Sequence, residues 1–232
     1  MAQIEFKKIT KEYPDGTKAL EDVDLVIEPG EFVFIVGPSG AGKTTLIKML
    51  IREEQPTSGE ALVDGVSVTH LKKKELPKLR RQIGVVFQEF KLLPTKTAAE
   101  NVAVALEVAN VPAKEIGEKV TEILRQVGLP GKENNFPRQL SGGEKQKLAI
   151  ARALAHEPAI LVADEPTGMI DPTATWEVME LLQRINKEGR TVIVCTHDTE
   201  IVDSLKKRVV ALEHGRIARD QVKGKYHDEK SH

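Results

Sequence analysis

The sequence predicts an α/β fold in which a mainly parallel sheet is covered by helices and interrupted by a helical insertion. Three observations carry this prediction. The runs Phe32 to Val36, Ile160 to Ala163 and Thr191 to Cys195 are strand-length and rich in β-branched or aromatic residues. The last two are separated by a helix with Val178, Leu181, Leu182 and Ile185 on one side, which makes a strand-helix-strand unit. Between about residues 89 and 158, by contrast, apolar positions recur at helical spacing.

Taken in order, Ile4 to Ile9 and Val23 to Ile27 alternate as strands, Phe32 to Val36 is a buried strand, and Ala61 to Val68 is a further β-like piece. A helix is expected over Lys43 to Leu50. The helical region carries a capping box in Thr97 and Glu100, and its first helix runs through an Ala/Val/Leu-rich stretch to Ala109, bounded by Pro112. The next helix places Ile116, Val120, Ile123, Leu124 and Val127 on one face, with Gly128 where a left-handed cap is wanted. The helix after the strand at Ile160 stops at Gly189. The expected organisation is a core of residues 1–88 and 159–219, a helical subdomain at 89–158, and a polar, disordered tail at 220–232.

Composition removes several function classes. The 34 Lys and Arg nearly balance the 35 Asp and Glu, so the chain lacks the electropositive field of a general nucleic-acid binder, and no nucleic-acid partner is expected. With 40% hydrophobic and 30% charged residues it reads as globular. No run reaches the roughly 20 apolar residues of a membrane span. Met1 to Thr10 includes Glu5, Lys7 and Lys8 and shows no signal-peptide core. A single cysteine, Cys195, excludes an internal disulfide and reads as a buried strand residue; together these features point to the cytoplasm.

Directly after the strand at Phe32 to Val36 comes Gly37-Pro38-Ser39-Gly40-Ala41-Gly42-Lys43-Thr44, which fits G-x-x-x-x-G-K-[ST] at every defined position, with Thr45 following. A glycine-rich turn lets backbone N–H groups converge on a polyphosphate, and the following helix adds its positive end. Lys43 is then the cation for the β- and γ-phosphates, and the Thr44 hydroxyl suits Mg2+. The strand Ile160 to Ala163 ends on Asp164 and Glu165, whose side chains point to opposite sides of an extended chain. Asp164 is assigned to the Mg2+ shell and Glu165 to polarising an attacking water as general base.

A second anion site is suggested by Leu140-Ser141-Gly142-Gly143-Glu144 ahead of a helix with Leu148, Ile150, Ala151 and Leu154 as apolar positions. Ser141 and Glu144 have capping-box spacing, which leaves the two glycines unexplained, since each costs about 1 kcal/mol of helix propensity.

The three words GPSGAGKT, LSGGE and ILVADE, in this order, resemble those of the ABC ATPases, and the resemblance covers nearly the whole chain. It implies an ABC ATPase fold: a P-loop NTPase core with a mainly parallel sheet, an N-terminal antiparallel β subdomain and an inserted helical subdomain. It further implies ATP and Mg2+ as ligands and ATP hydrolysis. By the same resemblance Tyr13 stacks on adenine, Gln88 joins the core to the helical subdomain and reaches the metal, His197 contacts the γ-phosphate, and Asp171 communicates across a dimer. That dimer is head to tail, each ATP lying between Gly37 to Thr45 of one copy and Ser141, Gly142 and Gly143 of the other. Glu144 stands where the family often has Gln, a change expected to tune the dimer.

Within the family, Phe87 to Thr97 with Glu100-Asn101-Val102 resembles the branch that serves bacterial cell division, while lipoprotein-release and macrolide-efflux ATPases share most of these words. The resemblance implies an integral membrane partner, peripheral attachment to the cytoplasmic face of the membrane, and control of cell-wall hydrolases. Soluble relatives of translation or repair fit poorly, because they carry two cassettes or long insertions. Phe87, Phe90, Leu92 and Leu93 stand equally for a docking groove or for core. The basic cluster Lys72, Lys73, Lys74, Lys78, Arg80 and Arg81 stands for a solvated face or for an approach to anionic lipid.

Overall fold

The alternation at the N-terminus forms β1 (Ile4–Glu12) and β2 (Lys18–Ile27), which pair antiparallel. The alternation is not continuous: Ile4 and Phe6 are buried, and so is Ile9 three residues on. Lys8 at φ 49 and a register shift between Phe6 and Ile9 form a bulge that restores the apolar phase. Asp22 at φ 50 does the same between Leu20 and Val23. The computed structural model describes residues 2–226. It divides into two units, one formed by the chain up to Arg80 with the chain from Thr191 onward, the other by Arg81–Arg190.

In the first unit, β3 (Phe32–Val36) is buried at all five positions, as a parallel strand covered on both faces must be. α1 (Lys43–Leu50) follows it. β4 (Ser58–Val63) and β5 (Val66–Ser67) join β1 and β2 in an antiparallel sheet of order β2-β1-β4-β5. The predicted single piece at Ala61 to Val68 is thus a hairpin, because Asp64 (φ 48) and Gly65 (φ 74) make a two-residue turn between Val63 and Val66. α2 (Leu76–Gln82) comes next, preceded by a short 3-10 turn.

The second unit contains β6 (Ile83–Val86), α3 (Ala98–Val108), α4 (Ala113–Gln126), α5 (Gly142–Leu154), β7 (Ile160–Asp164) and α6 (Pro172–Lys187). β6 and β7 are parallel. The unit takes in more chain than residues 89–158, because β6 pairs with β7 and packs against α5: a Cβ on Gly84 would lie 2.7 Å from the carbonyl oxygen of Ala153. Thr97 caps α3 as expected, accepting from the Glu100 N–H at 3.2 Å while the Glu100 carboxylate accepts from the Thr97 N–H at 2.7 Å. Residues 89–97 are turn rather than helix.

The chain then returns to the first unit with β8 (Thr191–Thr196), α7 (Thr199–Leu205), β9 (Arg208–Glu213) and β10 (Arg216–Gln221). β3 is parallel to β8 and to β9, and β10 closes antiparallel on β9. The expected α/β class, with mainly parallel core strands and an N-terminal antiparallel sheet, is therefore present. The stretch from Asp220 is not tail-like at its start. Arg208 donates to Asp220 through Nε and Nη2 at 2.9 and 2.7 Å and to Glu31 at 2.7 Å. These carboxylates, Asp220 foremost, raise the arginine's pKa. The Tyr226 N–H donates to Asp203 at 2.7 Å, and residues 227–232 lie outside the described residues.

Phe34 is 0% exposed in β3 and meets Phe32 edge-on with centroids 5.3 Å apart. Truncating it leaves a cavity that two flanking parallel strands have little freedom to fill. Phe34→Ala is expected to cost about 3–5 kcal/mol in urea unfolding, and a midpoint within error of the parent would contradict this packing.

Candidate active site

Among the predicted site residues, Tyr13, Gly37 to Thr45 and His197 belong to the first unit. Gln88, Ser141 to Gly143, Asp164, Glu165 and Asp171 belong to the second.

The loop after β3 turns on glycines for two separate reasons. A Cβ on Gly37 would stand 2.2 Å from the Leu212 carbonyl oxygen, and one on Gly42 would stand 2.5 Å from that of Ala19. Those two positions have no room for a side chain. Gly40 has open space but φ +80, so there the requirement is backbone sign. Between them Pro38, Ser39 and Gly40 are exposed at the tip, held by an Ala41 N–H to Pro38 carbonyl bond of 3.2 Å. Lys43 is 7% exposed, and its Nζ donates to the carbonyls of Gly37 (2.7 Å) and Pro38 (3.2 Å). The ammonium is thereby folded back over the mouth of the loop.

Helix α1 opens at Gly42 with no side-chain cap and no acidic residue in its first turn. α3, α5, α6 and α7 instead open on capping Thr97, Ser141, Asp171 and Asp198. The helix end after the glycine loop thus has neither a side-chain cap nor a first-turn acid to answer its positive dipole, which is what an anion requires. Thr44 and Thr45 stand in that first turn, Thr44 exposed.

His197 joins this loop through strand register. β3 and β8 are aligned with Val36 opposite Thr196, so Gly37 and His197 leave adjacent parallel strands at the same level, at the carboxyl edge where ligands of α/β sheets collect. His197 is exposed, and Asp198 beyond it caps α7 by accepting from the Ile201 N–H at 3.1 Å. Tyr13 lies in the β1–β2 turn, closed by its N–H to the Thr17 carbonyl at 2.9 Å, and its ring carries Lys11 Nζ at 5.0 Å from the centroid. That turn leads into Ala19 and Leu20, the residues pressed on Gly42.

In the second unit, Asp164 is the last residue of β7 and 7% exposed, while Glu165 is half-buried at φ 48. A left-handed glutamate costs about 1–2 kcal/mol. The turn that follows brings Gln88 close: a Cβ on Gly168 would meet Gln88 Nε2 at 3.3 Å. Gln88 and the Asp164 to Gly168 segment are therefore neighbours.

The glycine pair ahead of α5 receives its explanation here. A Cβ on Gly143 would stand 2.6 Å from Ala174 Cβ, and one on Gly142 would stand 3.2 Å from the Met169 carbonyl oxygen. The turn packs directly on the loop that follows Gly168 and on the start of α6. The Ser141 hydroxyl accepts from the Glu144 N–H at 3.2 Å, and Glu144 accepts from the Ser141 N–H at 2.9 Å. The N–H groups of Gly142 and Gly143 donate to no group among the described residues. Capping and a pair of open N–H groups thus coexist in one turn. Lys132, at 2.9 Å, and the Ser141 N–H hold the Glu144 carboxyl below its ordinary value. Asp171, read as a dimer contact, also caps α6 by accepting from the Ala174 N–H at 3.0 Å.

Two residues carry more than the sequence signalled. Phe90 and Lys91 are consecutive left-handed residues (φ 55 and 48), and Arg152 near the far end of α5 donates to both their carbonyls, at 3.1 and 2.6 Å. Asn101, fully buried, accepts from the Leu93 N–H at 2.8 Å and donates to the carbonyls of Leu93, Lys96 and Thr97. The loop after Gln88 is therefore pinned by one residue from each of two helices. Of its apolar side chains, Phe87, Phe90 and Leu92 are half-buried and Leu93 is exposed, so they are not core. A single Arg in an otherwise apolar, Ala-rich helix end was the available clue for Arg152. Arg152→Met is expected to cost roughly 1.5–3 kcal/mol in unfolding, as lost charged hydrogen bonds do. Lys91→Gly on that background recovers part of it; no recovery would mean that the arginine does not hold the left-handed turn.

Residues 20–168 match the ABC transporter family model. The chain is 52% identical to the cell division ATP-binding protein FtsE of Bacillus subtilis over 96% of its own length and 98% of that protein. It is 48% identical to FtsE of Mycobacterium tuberculosis over 96% and 97%. Against the methionine import ATP-binding protein MetN of Corynebacterium diphtheriae the identity is 43%, over 93% of this chain and 64% of that one. Among solved structures, the dimeric ATP-binding cassette MJ0796 bound to ADP and Pi superposes with a TM-score of 0.86 at 38% identity, covering 97% and 99% of the two chains. The chain belongs to the ABC transporter family, as one of its ATP-hydrolysing subunits.

Proposed function

We propose that the chain is the ATPase subunit of a bacterial cell-division complex, pairing head to tail with a second copy around two ATP molecules and driving an FtsX-like integral membrane protein that controls peptidoglycan hydrolases. The observation that carries this is identity of about half to FtsE from several bacteria along essentially the whole of both chains. The dimeric MJ0796 cassette supports the pairing. Among the described residues no helix is long and apolar enough to cross a membrane. Attachment to the cytoplasmic face therefore runs through the partner, with the loop from Phe87 to Leu93 as its docking surface.

The residue roles follow the local chemistry. The backbone of Gly37 to Gly42 and the uncapped start of α1 hold the phosphates, while Lys43 exchanges the carbonyls of Gly37 and Pro38 for the β- and γ-phosphate oxygens. Tyr13 stacks on the adenine and His197 approaches the γ-phosphate from the end of β8. The hydroxyl of Thr44, the carboxylate of Asp164 and the amide oxygen of Gln88 are hard oxygen donors of the kind Mg2+ takes. No group of three His, Cys, Asp or Glu among the described residues could hold a metal unaided, which suits an ion that arrives with the nucleotide. Bound Mg2+ neutralises charge on the terminal phosphates. Glu165 orients the attacking water and accepts its proton, with its left-handed backbone setting the direction of the carboxylate. The open N–H groups of Gly142 and Gly143 grip the γ-phosphate held by the other copy.

Removing the cation opposite the phosphates, Lys43→Ala is expected to weaken ATP binding by roughly 10–100-fold, the scale of lost charge-assisted hydrogen bonds. A nucleotide titration with unchanged affinity would reject the role. Glu165→Gln is expected to trap an ATP-dependent dimer on size-exclusion chromatography, and adding Ser141→Arg to dissolve it while ATP still binds. A Glu165→Gln chain that stays monomeric with ATP, or a dimer indifferent to Ser141→Arg, would sink the two-copy site.

A further inference from the structure

We propose that the basic face built around α2 is an electrostatic contact for anionic phospholipid, so that the subunit touches the membrane surface as well as its protein partner. The inference rests on the membrane reading above and adds a second, lipid point of attachment. Arg52 Nε and Nη2 donate to the carbonyls of Val68 and Thr69 at 3.1 Å each, and Arg80 Nε donates to the carbonyl of Ile51 at 3.0 Å. Those bonds draw the end of α1, the turn leading out of β5 and α2 into one surface. From Lys72 to Arg80 that surface carries Lys72, Lys73, Lys74, Lys78 and Arg80, all exposed, against a single acid, Glu75.

Glu75, whose carboxylate accepts from the Lys72 backbone N–H at 2.8 Å, offsets one of these five charges. The nearby Glu54 is engaged by Lys11 at 2.8 Å. None of the four lysines forms an ion pair among the described residues. Elsewhere some exposed lysines stand beside carboxylates, as in Lys18 with Glu21 and Lys96 with Glu100, and others, such as Lys114 and Lys187, stand singly among the described residues, so it is the density of cations from Lys72 to Arg80 that sets this segment apart. A concentrated positive patch on a chain of net charge −1 is therefore a local feature and not the spill of a basic protein.

The chemistry of the patch selects the occupant. Its cations are mostly lysine ammonium groups on mobile stems, point charges that follow a diffuse field without the fixed fork by which arginine reads one phosphate. Val66 to Arg80 contains no Phe, Tyr or Trp, which leaves His70 as its one ring on which a nucleic-acid base could stack. A planar sheet of anionic headgroups matches such a surface, and polybasic segments are drawn to it within about a Debye length. The segment runs directly on in sequence into β6 and the loop proposed to dock the membrane protein.

The test is co-sedimentation of the full chain, without any partner, with vesicles of phosphatidylcholine mixed with phosphatidylglycerol and with pure phosphatidylcholine. Binding is expected only to the mixed vesicles and to fall as salt is raised. The variant K72Q/K73Q/K74Q/K78Q is expected to lose affinity on the order of a thousandfold while keeping the basal ATPase rate, which also shows that it folds. The variant K7Q/K18Q/K96Q/K119Q, with the same change in net charge, is expected to bind like the parent. Equal loss in both variants, no binding to mixed vesicles, or displacement by inorganic phosphate at matched ionic strength overturns the proposal. Tighter binding to polyglutamate than to mixed vesicles would assign the patch to an acidic protein and overturn it as well. Because the vesicles contain no protein, a failure of the FtsX-like partner reading leaves this result untouched.

Discussion

Close approach of backbone to backbone is the constraint on which the rest of this protein depends. At Gly37 and Gly42 the chain passes so near the carbonyls of Leu212 and Ala19 that a single methyl group would collide with them. Because those contacts come from β9 and β2, the loop between β3 and α1 is fixed in place by both sheets of the first unit. A loop held this way offers its amides preorganised, and an anion does not have to order them on arrival. The uncapped start of α1 is the other half of the same device: any Ser, Thr or Asp in place of Gly42 would compete for the N–H groups the phosphate needs.

The second unit uses the same constraint for another purpose. Gly142 and Gly143 let α5 seat itself on the loop after Gly168 and on the first turn of α6. The opposite end of α5 carries Arg152, which grips the carbonyls of Phe90 and Lys91. One thirteen-residue helix thus ties the turn that is proposed to meet a second copy's nucleotide to the loop that is proposed to meet a membrane partner. A rigid element fixed at both ends is the kind of connection through which packing rearrangements travel as discrete shifts.

Backbone strain is present where these connections are made, as it is at turns and bulges elsewhere in the chain. Glu165 beside the acidic strand end, and Phe90 with Lys91 in the loop after Gln88, are non-glycine residues in the left-handed region. Arg152 holds Phe90 and Lys91 through their carbonyls, which is how a fold retains unfavourable dihedrals at working positions. Lys8 and Asp22 show the structural use of the same conformation, resetting the apolar phase of a strand so that the next residue faces inward.

Much of this was legible in the sequence. The glycine loop, the acidic strand end and the Leu140 to Glu144 word are local patterns, and local chemistry decides what they do: sparse side chains, a lysine and a helix start make an anion cradle in any fold that presents them. The buried strands, the Thr97 capping box and the stop at Gly128 were equally local. What remained hidden were elements whose reasons lie far away in the chain. β6, β9 and β10, the split of Ala61 to Val68 into a hairpin, and the ordered course of Asp220 to Tyr226 depend on pairings and ion pairs with distant residues. The packing role of Gly142 and Gly143 became visible only with Met169 and Ala174 beside them, and that of Arg152 only with the two strained carbonyls it holds. Sequence alone determined which groups of atoms were available to bind and cleave a phosphate. Tertiary structure decided which backbones come close enough to leave room for nothing but hydrogen, because steric exclusion is a property of neighbours in space and not of neighbours in the chain.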